Sequence, residues 1–161
     1  MMKSFIVAGA ACGLAIGSVF AEVKLEAGVG TLSFTGGEGP GKGKHVVLLA
    51  GDEEYRSEEG MPLMARILAE KHGFDTTVLF SADEDGTINP NAGGSLMGAG
   101  ALDSADALVM LLRFRKYDDA TMDKFKAAVD RGVPMVAPTA GIREGATFGI
   151  EGISQMLDCG K

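Results

Sequence analysis

The sequence predicts an α/β domain: a parallel sheet covered by helices on both faces, the three-layer sandwich arrangement. Three observations predict it. Four runs, "HVVLLAG" from His45, "TTVLFSA" from Thr76, "ALVMLLRF" from Ala107 and "VPMVAPTAG" from Val133, are apolar almost throughout and lack the polar alternation of a half-exposed strand. Helical patterns separate the first run from the second and the third from the fourth, and strands alternating with helices are the mark of a parallel sheet. The chain has 161 residues, of which 46% are hydrophobic, enough for one domain with a substantial core and too apolar for a chain disordered throughout.

Taken in order, residues 1–21 place Lys3 ahead of an apolar stretch from Phe5 to Phe20, with the small residues Val19 and Ala21 before Glu22. That is the pattern of a secretory signal peptide, so the expected location is periplasmic or secreted, with no stable membrane insertion after cleavage. Cleavage would remove Cys12 and leave Cys159 without an internal disulfide partner. Residues 22–44 are rich in glycine and read as a flexible lead-in, within which "VKLEAGVGTLSF" could add a short edge strand. The domain proper spans 45–161. Its first helix should open with Ser57 as N-cap and Glu58 and Glu59 in the first turn, bury Met61, Met64, Ile67 and Leu68, and stop at Gly73. A second helix, "DDATMDKFKAAVDRG", has Asp118 or Asp119 as N-cap, Met122, Phe125, Ala128 and Val129 on one face, and Gly132 at its end.

The formal net charge of -7 argues against a nucleic-acid partner, which would require a basic face. No cofactor or metal motif emerges. "GGEGPGKG" from Gly36 imitates a phosphate loop but has Gly43 in place of the Ser/Thr and precedes its strand. "SADEDGTINPNA" imitates a calcium loop but starts with Ser81 and ends with Ala92 where a bidentate Glu is needed, so it reads as a polar turn. His45 and His72 have no partners at zinc-ligand spacing.

In a parallel α/β sheet, ligands sit outside the carboxyl ends of the strands. That rule selects three loops: Gly51 to Ser57, Arg113 to Tyr117 and Thr139 to Arg143. In the first, Asp52, Glu53, Glu54, Tyr55 and Arg56 combine carboxylates, a phenol and a guanidinium, a set able to grip sugar hydroxyls. Asp52 and Glu54 are the candidates for general acid–base chemistry. In the second, Arg113 and Arg115 sit at i and i+2 and so point the same way, either to pair with the acidic loop through Asp52 or Glu54, or to reach a ligand. Thr139 and Arg143 would complete the rim.

The phrases "VVLLAGDEEYRSEEGMPLMARILAEKHGF", "TVLF", "DGTINPN", "LDSADALVMLLRFR" and "GVPMVAPTAG", in this order between His45 and Gly141, resemble the ThuA-like family of trehalose-utilisation-type proteins. The resemblance implies a flavodoxin-like sandwich of four to five strands, related to the class I glutamine amidotransferases, and a carbohydrate, a disaccharide or keto-sugar derivative, as ligand. It also implies that the loops after "HVVLLA" and "RFR" line the pocket. There are departures from the family. Thr139 stands where an amidotransferase has its nucleophilic Cys, so glutaminase chemistry is not expected. "TAGIREGATF" offers Arg143 but none of the His that ThuA-like chains carry near this turn. The sequence therefore supports two functions, a carbohydrate-processing domain or a non-catalytic binding or interaction module. The edge beside the last strand leaves room for homo-oligomerisation or a swapped N-terminal strand.

Overall fold

The computed structural model describes residues 22–26 and 30–137. The expected signal peptide, Cys12, Cys159, Thr139 and Arg143 lie outside the described residues. In chain order the elements are β1 (Glu22–Glu26), β2 (Thr31–Thr35), β3 (His45–Gly51), α1 (Ser57–His72), β4 (Asp75–Phe80), a short 3-10 helix (Ala99–Ser104), β5 (Ala107–Leu112), α2 (Asp119–Asp130) and β6 (Met135–Val136). They form one six-stranded sheet in the order β1-β2-β4-β3-β5-β6. β4, β3, β5 and β6 run parallel, while β1 and β2 form an antiparallel hairpin on the free edge of β4. The α/β class and the mostly parallel sheet therefore follow the sequence expectation.

Alternation along β3 explains why its sequence is apolar without interruption. Val46, Leu48 and Ala50 face α1 and pack with Met61, Ala65, Ala69, Val78 and Phe80. Val47 and Leu49 face the opposite layer, where Leu108, Met110, Phe125 and Ala128 meet Leu102 of the 3-10 helix. Burying successive residues on opposite faces requires helices on both sides.

The Gly-rich lead-in is not a plain linker. β1 and β2 occupy part of it, and the glycines after β2 lie against the end of α1. The Gly41 amide donates to the His72 carbonyl at 2.8 Å, and the Gly36 amide donates to Asp75 Oδ1 at 2.9 Å. A Cβ on Gly36 would lie 2.3 Å from the Gly73 carbonyl oxygen, and one on Gly41 would enter the Phe74 ring at 2.4 Å. Glycine serves close packing here. The hairpin pairs with β4 of its own chain and is not swapped onto β6.

α1 departs from the sequence expectation in two respects. The helix is entered through Arg56 in the left-handed region (φ 52°), and no side chain caps its first turn. Ser57 instead turns its hydroxyl toward Asp52, accepting from the Asp52 amide at 2.8 Å and donating to the Asp52 carbonyl at 3.0 Å. The buried stripe is Ser57, Met61, Ala65 and Ala69, with Leu68 beside it, whereas Met64 and Ile67 are exposed. The small alanines let the helix backbone approach the sheet, which leaves the bulkier Met64 and Ile67 on the flank. The C-terminus follows the expectation: Gly73 adopts φ 78° and its amide caps the helix. In α2, Asp118 is the N-cap, its carboxylate accepting from the Thr121 amide at 2.8 Å.

Candidate functional site

The parallel strands reverse their order of addition beside β3. From β3 the chain adds β4 on one side and then crosses to β5 on the other, so the tips of β3 and β5 border the crevice where such sheets bind ligands. The β3–α1 loop, the β5–α2 loop and the long β4–β5 connection meet there.

Asp52 leaves the tip of β3 fully buried. Its Oδ1 accepts from the amides of Glu54 at 3.0 Å and Tyr55 at 3.1 Å, an Asx turn that folds the loop back toward α1. Its Oδ2 has no hydrogen-bond partner among the described residues. Asp52 thus shapes the loop from within and does not line its surface.

Glu53 is the hub of the charge network. Arg113 Nη1 donates to its Oε1 at 2.7 Å and Arg115 Nη2 to its Oε2 at 2.9 Å. The i, i+2 arginines do point the same way, and both converge on Glu53. Arg113 also reaches Glu54 Oε2 at 3.1 Å, so the arginine–acid pairing runs through Glu53 and Glu54 and not through Asp52. Partial burial pulls the Glu53 pKa upward, but its own backbone amide, Arg115 and Arg113 outweigh that, and the carboxyl is held below its ordinary 4.5. A group depressed in this way stabilises the fold above its unfolded-state pKa and loses that contribution as pH falls through the folded value. Stability is therefore expected to fall on acidification below about pH 4.5. A Glu53→Gln variant should show a shallower acid limb in urea titrations across pH.

Arg115 is almost wholly buried. Besides Glu53, its Nε donates to the Gly51 carbonyl and its Nη2 donates to the Pro90 carbonyl at 2.7 Å. One guanidinium thereby ties together the tip of β3, the β4–β5 connection and its own loop. The Lys116 amide adds a bond to the Gly93 carbonyl at 2.9 Å. Beneath the knot, Tyr117 stacks on Phe125 of α2 with ring centroids 6.1 Å apart. Burial pushes the Tyr117 phenol up to about 12, with Arg115 and the neighbouring Ser81 hydroxyl pulling the other way. The two hydroxyls are neighbours, yet neither Tyr117 OH nor Ser81 Oγ makes a hydrogen bond of good geometry among the described residues. The phenol stays protonated at neutral pH.

Above the knot the surface is aromatic. Phe114, between the two arginines, is 67% exposed, and Tyr55, next to Glu54 in the β3–α1 loop, is 60% exposed. Phe114 is held at φ 50°, a left-handed conformation that a bulky residue adopts only when its surroundings impose it. The arginines on either side of it are both fixed on Glu53. The Arg113 guanidinium lies 5.0 Å from the Phe114 ring centroid. Phe114 was not among the sequence candidates. No sequence signal marked it, because the left-handed turn at Phe114 is not part of an extended strand in which alternation could be counted.

Of the remaining candidates, Glu54 is just over half exposed beside Arg113. Arg56 is exposed and pairs with Glu59 on the first turn of α1, away from Glu53. The loop "SADEDGTINPNA" forms a turn closed on itself: Asn89 Nδ2 donates to Asp83 Oδ1 at 2.9 Å and the Thr87 amide to Asp85 Oδ1 at 2.9 Å. Among the described residues, no group of three or more His, Cys, Asp or Glu is placed to hold a metal ion. No helix among them is long and apolar enough to cross a membrane.

The chain matches no family model, no curated protein and no solved structure.

Proposed function

We propose that this chain binds a carbohydrate across the tips of β3 and β5, without turning it over, on a flavodoxin-like scaffold of the ThuA-like kind. The observation that carries the proposal is the pair of exposed rings, Tyr55 and Phe114, beside the Glu54–Arg113 ion pair at the point where strand order reverses. A sugar ring offers an apolar C–H face and a rim of hydroxyls. Exposed aromatic rings together with a carboxylate and a guanidinium complement both. The parallel strands, ordered second, first, third, fourth, support the flavodoxin-like scaffold.

Binding is favoured over processing by the state of the carboxylates. Cleavage of a glycosidic bond canonically uses two carboxyl groups whose environments give them different roles. Asp52 is buried and spends Oδ1 on loop amides, and Glu53 is held as an anion by two arginines. Glu54 is left as the one exposed carboxylate of this loop. We place the protein in the periplasm or outside the cell on the signal-like pattern of residues 1–21.

Isothermal calorimetry of the purified chain against disaccharides and their keto derivatives tests the proposal. Saturable binding is expected, weakened about fivefold by Tyr55→Ala and about fivefold by Phe114→Ala, the worth of one aromatic contact of about 1 kcal/mol. Absence of binding to every saccharide would reject the carbohydrate reading. Product formation that disappears in Glu54→Gln would reinstate an enzyme.

A further inference from the structure

α1 carries two apolar faces, and the sheet uses one. Besides the buried stripe, Gly60, Leu63, Met64 and Ile67 follow the i, i+3, i+4, i+7 spacing of a second face. Leu63 is 62% exposed, Ile67 47% and Met64 37%, an unusual amount of bulky apolar surface for one helix. Gly60 belongs to the same face. A Cβ there would meet nothing within 4 Å among the described residues, so none of them requires glycine at a helical position where it costs about 1 kcal/mol relative to alanine. A bare Cα is what permits another backbone to come close.

The patch continues onto the sheet. Val136 of β6, Val109 of β5 and Leu48 of β3 form a row across the strands on the α1 side. Leu48 is buried under α1, Val109 is half-buried, and Val136 is 58% exposed. Among the described residues, α1 packs chiefly on β3 and β4 and only touches β5, and Val136 of β6 stays exposed. With the right-handed crossover that parallel strands adopt, Met64 lies on the flank of α1 that faces β5 and β6.

We propose that this face is a homodimer interface in which α1 packs antiparallel on α1 of a second copy. The helix is self-complementary in charge: Glu58 and Glu59 lie in its first turn, Lys71 and His72 in its last. A two-fold axis crossing at the level of Ala65 sets Leu63 against the partner's Ile67. The same axis sets Glu59 against the partner's Lys71. Apolar contacts then occupy the centre and opposite charges both ends, and the symmetry repeats each contact twice. This interface lies on the helix and is independent of the strand-tip site.

Sedimentation equilibrium of the purified full chain over a wide concentration range tests the proposal. A dimer is expected in the wild type, and monomer in the double variant Leu63→Glu with Ile67→Glu. Glu59→Lys should raise the dimer Kd at least tenfold, and adding Lys71→Glu should restore it, a rescue that loss of folding cannot imitate. A wild type that stays monomeric throughout would overturn the proposal, as would a dimer that survives Leu63→Glu with Ile67→Glu in folded protein. Failure of the charge exchange to rescue association would overturn it too. So would an intrachain disulfide between Leu63→Cys and Cys159, which would show the chain's own C-terminal residues on this face.

Discussion

Replacing Arg115 with alanine is expected to lower the free energy of unfolding by about 2–3 kcal/mol, the loss typical of removing charge-assisted hydrogen bonds made by a buried guanidinium. Arg115 Nε holds the Gly51 carbonyl and Nη2 holds Glu53 and the Pro90 carbonyl. Truncation removes the donor to the half-buried Pro90 carbonyl, leaves the Gly51 carbonyl with the Arg113 amide at 3.0 Å, and removes one of the two cations that stabilise the Glu53 carboxylate. Glu53 keeps Arg113, so the loss is that of the hydrogen bonds and packing Arg115 itself makes, and no buried carboxylate is left unpaired. Arg115→Lys should recover only part of the stability, because an ammonium on a flexible stem cannot reproduce the fixed fork of donors. Urea denaturation of both variants, with the loss ordered Ala over Lys, checks this. A loss below about 1 kcal/mol for Arg115→Ala would mean that the three loops are held by something else.

Gly36→Ala is expected to cost about 2–3 kcal/mol by overpacking. The added methyl would lie 2.3 Å from the Gly73 carbonyl oxygen and 2.5 Å from the carbonyl carbons of Gly73 and Phe74. All three are backbone atoms, so no side chain can rotate away and either the lead-in or the end of α1 must shift. Gly43→Ala is a different case, since a Cβ there meets nothing within 4 Å but φ is 74°. It should cost only the left-handed backbone penalty, about 1 kcal/mol. Thermal melts of the pair separate a packed lead-in from a loose one. Equal and negligible losses would return residues 36–44 to the status of a linker.

What the sequence made legible was local or strongly periodic. β3, β4 and β5 were readable because burial on both faces leaves no polar alternation to confuse with a helix. The end of α1 at Gly73 and the start of α2 at Asp118 were readable because caps act within one turn. The hairpin of β1 and β2 was nearly hidden, since glycine has the same letter whether it gives freedom or permits close approach. The inner stripe of α1 was misassigned to Met64 and Ile67 because alanine carries little hydrophobic signal, although Ala65 and Ala69 are the residues in contact with the sheet. At the strand tips, residue types and loops could be found from topology alone. Which carboxylate turned inward could not. Asp52 and Glu53 are neighbours of similar chemistry, and only the Asx turn and the two arginines assign the first to the loop interior and the second to the ion-pair hub.

A saccharide held as proposed would touch the tips of β3 and β5 together. Amide chemical-shift mapping during titration with a binding saccharide tests this most directly. Concerted shifts are expected in the amides of Glu54, Tyr55, Arg113 and Phe114, with little change at the opposite end of the strands around His45 and Asp106. Shifts centred on His45 and Asp106, or on the exposed face of α1, would contradict it.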